Sequence, residues 1–172
     1  MTPEQRHYLF VQSAIGSAVV NAVINGALGW GATHGLTEFP LWKLPGAGID
    51  LVATAFGVAF GTCLGAIVQI RIDVARGKIS RPALSGSLAT WIARAPSGLF
   101  ARAMWFGVIG AVVFGPPALC GLVASGSDAL GRVPFVAVKA GFSAVEGALV
   151  TPFILLATLM NAPVPEPSAR PS

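Results

Sequence analysis

Charge is what this chain has least of. Only 10% of its 172 residues are Asp, Glu, Lys or Arg, where soluble domains run near 25%. A water-facing surface of ordinary composition is therefore excluded. Cysteine is scarce as well. Cys63 and Cys120 each lie inside an apolar run, with no Cys-x-x-Cys spacing, which excludes a disulfide framework and a structural zinc site. Both read as small buried residues. His7 and His34 flank apolar segments on opposite sides, so neither a haem nor a metal centre is expected. There is no Gly-rich phosphate loop, no Ser/His/Asp set and no nucleotide signature. The expectation is that the chain is not an enzyme and holds no cofactor. The first apolar run is too long and too polar for a signal peptide, and only Arg6 precedes it.

What the chain has in abundance is apolar sequence. Hydrophobic residues make up 54% of it, gathered in four runs at about 8–30, 49–70, 99–123 and 135–160. Each reaches the length, about 20 residues, that a helix needs to cross a bilayer. The expected fold is an all-α integral membrane protein, an antiparallel bundle of four transmembrane helices in one domain, 1–160. The tail, 161–172, is rich in proline and reads as disordered and cytoplasmic. The net charge of +4 does not point to nucleic acid, because the basic residues cluster in one loop and carry topology information. Arg71, Arg76, Lys78, Arg81 and Arg94 lie between the second and third runs against one acid, Asp73. Basic loops stay on the cytoplasmic side. With that loop inside, both termini are inside. Arg6, Arg102 and Arg170 then join the inner set, and only Lys43 and Arg132 lie outside. The expected location is a bacterial cytoplasmic (inner) membrane.

Within the runs, small and polar residues fall in stripes. Ser13, Ser17, Asn21 and Asn25 recur every four residues on the first run, one slowly drifting helix face. The second carries Asp50, Thr54, Gly57, Gly61, Gly65 and Gln69. Its three glycines form a small-xxx-small ridge that lets another helix approach closely. Ala103, Gly107, Ala111 and Gly115 form a similar ridge on the third, expected to pack on the ridge of the second. Pro116 and Pro117 are expected to kink or end that helix. Between the second and third runs, 88–95 reads as a short interfacial helix with Trp91 inward and Arg94 toward headgroups. The first loop, with Pro40, Phe39 and Trp42, reads as a short segment lying on the membrane surface.

The fourth run carries the exception to the scarcity of charge. Lys139 and Glu146 sit seven residues apart on one helix face, beside Ser143 and Gly147. A charge at mid-bilayer costs roughly 2.5–3.5 kcal/mol on the insertion scale. By depth, Asp50, Thr54, Asn25 and Lys139 belong to one layer, and Asn21, Ser143 and Glu146 to a deeper one. Two readings follow. In one, these seven residues form an ion or substrate site in the outer half of an oligomeric transporter or channel for an ion, proton or small solute. In the other, they are an ion-paired structural core, with Lys139 neutralised by Asp50 or Glu146. The protein is then a non-transporting membrane subunit that binds a partner membrane protein. The expected partners are the lipid bilayer and either a second copy of the chain or another membrane protein, with contacts through Gly57, Gly61, Gly65, Gly107 and Gly115.

Overall fold

The computed structural model describes residues 2–44, 46–76 and 86–161. The structure is mostly helical, and four of its helices are long and apolar enough to cross a membrane: Pro3–Ala32, Ala47–Ile70, Leu99–Ala124 and Arg132–Met160. Lys78 and Arg81 of the basic loop and the tail from 162 onward lie outside the described residues.

The first spanning helix starts as α1, Pro3–His7. Thr2 caps it: its hydroxyl accepts from the Gln5 amide, and the Gln5 side chain accepts from the Thr2 amide. This reciprocal box satisfies two donors that a helix start leaves bare, and Pro3 at the first position loses none. The helix widens through a π-helical stretch, Tyr8–Gln12, and continues as α2, Ser13–Ala32. The second spanning helix is α3, Ala47–Ala75. It runs beyond the apolar segment, so Asp73 is helical rather than part of a loop. α4 is Ser87–Ala93, α5 Leu99–Ala124 and α6 Arg132–Met160.

The expected effect of Pro116 and Pro117 is corrected in one respect. α5 runs through both and ends only at Ala124. Each proline removes one backbone donor, a loss that membrane helices tolerate where neighbours re-satisfy the freed carbonyl. Both rings lie on the exposed side.

The expectation of an all-α chain is also corrected. The loop after α2 contains β1, Glu38–Pro40, and the loop after α5 contains β2, Ala129–Gly131. They pair antiparallel, with Glu38 opposite Gly131 and Pro40 opposite Ala129. The first loop is therefore folded into the body instead of lying free on the surface. Phe39 and Leu41 are buried, and the Phe39 ring meets Phe135 of α6 at 4.5 Å between centroids. With Ala47, Leu51 and Leu122 they form an apolar cap over that end of the helices. A larger cluster closes the other end: Leu9, Ile70, Ile92, Phe106 and the run from Ile154 to Leu159. Trp91 of α4 packs there on Trp105, at 5.0 Å, while Arg94 is exposed.

Helix packing follows one order. α2 packs along α6, α5 packs along α3, and α3 crosses α6; α2 with α3, and α5 with α6, touch over a few residues only. Exchanging the first helix pair for the second leaves this order unchanged, and the two strands pair across the same relation. The two halves show no convincing sequence repeat, so the likeness lies in the packing. Along α2 and α6 the contacts run in opposite senses: Ser17 meets Thr151, Asn21 meets Ser143, and Gly29 lies against Lys139.

The α5 ridge packs on a different face of α3 from the one expected. A Cβ at Gly107 would meet the Phe56 ring at 2.7 Å, and one at Gly115 would meet Val52 at 3.5 Å. The glycines of α3 are turned away: a Cβ at Gly57, Gly61 or Gly65 would meet nothing within 4 Å among the described residues. The reason is the helical period. Val52, Ala55, Phe56 and Ala59 form one stripe, and the glycine ridge lies around the helix from it.

Candidate functional site

Six of the seven polar residues fall in three places, and Thr54 stands apart from them. The first is an ion pair. The Lys139 ammonium donates to both oxygens of Asp50, at 2.6 and 2.8 Å. Asp50 belongs to the first turn of α3, where the helix dipole favours a negative charge. Lys139 lies two turns into α6, and its stem runs past Gly29 of α2. The lysine side chain is 6% exposed and the aspartate 24%, so the pair is shut in from one side only. The cap of Phe39 and Phe135 lies above it.

The second place is a hydrogen-bond ladder between α2 and α6. Asn21 donates to the Ser17 carbonyl at 2.9 Å and to its hydroxyl at 3.0 Å. The Thr151 hydroxyl donates to Ser17 Oγ at 2.6 Å, and Ser143 donates to the Asn21 carbonyl at 3.1 Å. Asn25 turns back to its own helix and donates to the Asn21 carbonyl. Gly147 makes the approach possible, since a Cβ there would lie 2.6 Å from the Asn21 amide nitrogen. Such contacts hold membrane helices together at about 0.6–2 kcal/mol each. Asn21, Asn25 and Ser143 thus make their hydrogen bonds within or between these two helices.

The third place is Glu146, alone. The residue is fully buried, and neither carboxyl oxygen has a hydrogen-bond partner among the described residues. Glu146 follows Ser143 by three residues and precedes Gly147, so it points around α6 from the ladder, toward α3 and α5. Its Oε1 lies 2.9 Å from where a Cβ of Gly110 would be. The Ala55 carbonyl and the Ala59 methyl lie 2.7 and 2.8 Å from the same point. Gly110 is thus a notch in α5 that receives the carboxyl group at the crossing of three helices. By depth, Asn21, Ser143 and Glu146 were expected in one layer. Level along the axis they are close, but the direction around α6 divides them. Thr54 is buried on α3, one turn below Asp50.

No match to this chain is found among protein-family models, curated proteins or solved structures. The reading of the site therefore rests on its geometry.

Two features escaped the sequence reading. Gly110 lies off the four-residue ridge of 103, 107, 111 and 115, and nothing in α5 alone distinguishes it. Asp73 counted as the one acid of a basic loop, but it is buried on α3 and accepts from the Tyr8 hydroxyl at 2.7 Å and the Gln69 amide at 2.9 Å. A signal existed for it: Gln69 precedes Asp73 by four residues, a helical spacing that bonds well. Arg102 is buried, and it donates to the Pro96 and Ser97 carbonyls at 2.8 and 3.0 Å. Among the described residues no group of three His, Cys, Asp or Glu side chains comes together to hold a metal ion.

Proposed function

We propose that this chain is a small oligomeric membrane transporter or channel whose working group is Glu146, and that the group carries a proton or a cation. The observation behind this reading is the contrast among three carboxyls of the spanning helices. Asp50 has Lys139, and Asp73 has Tyr8 and Gln69. Glu146 has nothing, at zero exposure. A structural carboxyl is expected to be paired, because an ionised one without donors is among the costliest groups to bury. An unpaired one calls for a positive partner from outside the chain. Intramembrane acids of that kind mark paths for protons, ions or substrates.

The membrane arrangement that goes with this reading is an antiparallel bundle with both termini in the cytoplasm of a bacterial inner membrane. It is supported by the opposed senses of α2 and α6 and by the basic residues on the α4 side. The exposed ridge of Gly57, Gly61 and Gly65 supports assembly, since small residues let a helix of a second copy approach.

Two observations favour the second reading, a non-transporting subunit that binds a partner membrane protein: Lys139 is already neutralised by Asp50, and that ridge faces outward. Reconstitution separates the two. Proteoliposomes with an internal pH dye are given a proton, sodium or potassium gradient. Flux in the wild type that vanishes in Glu146→Gln is the expected result. Absence of flux under all three gradients overturns the transport reading and leaves the subunit.

A further inference from the structure

An apolar cleft of about 310 Å³ lies between α5 and α6. Phe106, Ile109, Val113 and Phe114 form its α5 wall, Leu149, Val150 and Phe153 its α6 wall, and Trp91 of α4 completes the lining. Leu149, Val113 and Phe153 keep 41–53% of their surface exposed, so the cleft opens sideways, toward lipid. The helical stripes of the two walls both lead to the carboxyl group. On α6, Glu146, Leu149, Val150 and Phe153 stand at i, i+3, i+4 and i+7, one face. On α5, Phe106, Ile109, Gly110 and Val113 do the same, and Gly110 is the notch that holds the carboxyl. The unpartnered acid therefore lies behind the cleft wall, about one helical turn (5.4 Å) along α6 from Leu149 and Val150.

We propose that the cleft binds lipophilic cations, organic amines or onium ions with an aromatic or branched apolar body, and that Glu146 is their counter-ion. The inference rests on the reading of Glu146 as a carrier and names the class of its cargo. Charge complementarity selects the occupant. Four aromatic side chains line the walls, and aromatic faces attract cations. An acyl chain or a neutral helix would fill the same walls but leave Glu146 without its positive partner. Access lies along the seam where α5 and α6 touch over a few residues only, so the walls can part without breaking the α2–α6 or α3–α5 contacts. When the cation arrives, the carboxyl proton leaves to solvent and an ion pair forms in its place, one proton out for one cation in. The groups around Glu146 do not compete. On α3 it faces Ala55 and Ala59, and on α5 Gly110; Ser17 and Asn21 of α2 do not titrate. Cys63 lies one turn further along α3. Arg102 is held by the Pro96 and Ser97 carbonyls and Lys139 by Asp50.

The test uses the full chain in lipid nanodiscs and tetraphenylphosphonium as the probe, with triphenylphosphine oxide as its neutral counterpart. Titration calorimetry in two buffers of different ionisation enthalpy reads affinity and proton release together. The wild type is expected to bind the cation with release of one proton and to bind the neutral probe at least tenfold more weakly. Glu146→Gln should lose about 30-fold or more, as removal of a desolvated charge partner does. Val113→Trp, which fills the cleft without touching the carboxyl, should lose tenfold or more. Val19→Trp, on the exposed face of α2, should bind as the wild type does. If Glu146→Gln does not fold, Glu146→Asp and Val113→Trp carry the comparison. Equal binding of both probes, or binding that Glu146 variants leave unchanged, means the cleft takes apolar filler only and overturns the proposal. No cation binding alongside Glu146-dependent proton or sodium flux overturns the cargo and keeps the carrier; loss of both overturns both.

Discussion

Removing Asp50 should hurt this protein more than removing Lys139, although the two form one ion pair. The asymmetry follows from burial. Lys139 is 6% exposed at its side chain and Asp50 24%. Asp50→Ala leaves an ammonium in a nearly dry place, between Gly29 of α2 and the Phe135 ring. Breaking a fully buried pair costs about 3–5 kcal/mol. The aspartate side is a quarter open to water, which places the expected loss near the lower bound, about 3 kcal/mol. Lys139→Met keeps the stem that packs on α2 and strands only the better-solvated carboxylate, so about 1–2 kcal/mol is expected. The double variant has no stranded charge and should be more stable than Asp50→Ala alone. The coupling between the two sites should then be about 2 kcal/mol, within the range measured for contacting pairs. Tryptophan fluorescence during unfolding in mixed dodecyl sulfate and maltoside micelles gives the four free energies. Two strictly additive single variants would refute the pair as a unit, and a costlier Lys139→Met would refute the burial argument.

Three other outcomes are expected. Gly110→Leu should cost about 1–3 kcal/mol or more, because its Cβ meets the Ala55 backbone and the helices must separate, whereas Gly61→Leu should leave the monomer's stability unchanged and alter only the assembled mass; equal effects in the same unfolding assay would place both glycines in one environment. Glu146→Gln should change stability by less than about 1 kcal/mol, since no partner is lost, and Lys139→Met should not rescue it; a large loss restored by Lys139→Met would reveal a network linking the two. Thr90→Cys should be labelled by an impermeant maleimide only from the cytoplasmic side and Ser127→Cys only from outside, and the reverse pattern on intact cells would invert the topology.

The spanning helices were legible because their cause is local. About 20 apolar residues in a row have few ways to satisfy the backbone in lipid other than as a helix, so composition and length alone placed four of them. The ends were less legible. α3 continues five residues past its apolar run, to Ala75, because Asp73 gains donors from Tyr8 and Gln69, and Tyr8 is 65 residues away. The two short strands carried no signal of their own, since three residues each are stabilised only by pairing with the other loop. Among the candidate site residues, Lys139, Asp50 and Glu146 stood out in the sequence as ionisable groups within or beside apolar runs. Their rarity and their depth can be read from a single chain. Direction around a helix can be read only relative to other residues of the same helix, not relative to its neighbours. Which of α2, α3 or α5 stands on each side of α6 was decided by tertiary packing. That packing joined Lys139 to Asp50, turned Gly57, Gly61 and Gly65 outward, and left Glu146 facing a glycine with no donor.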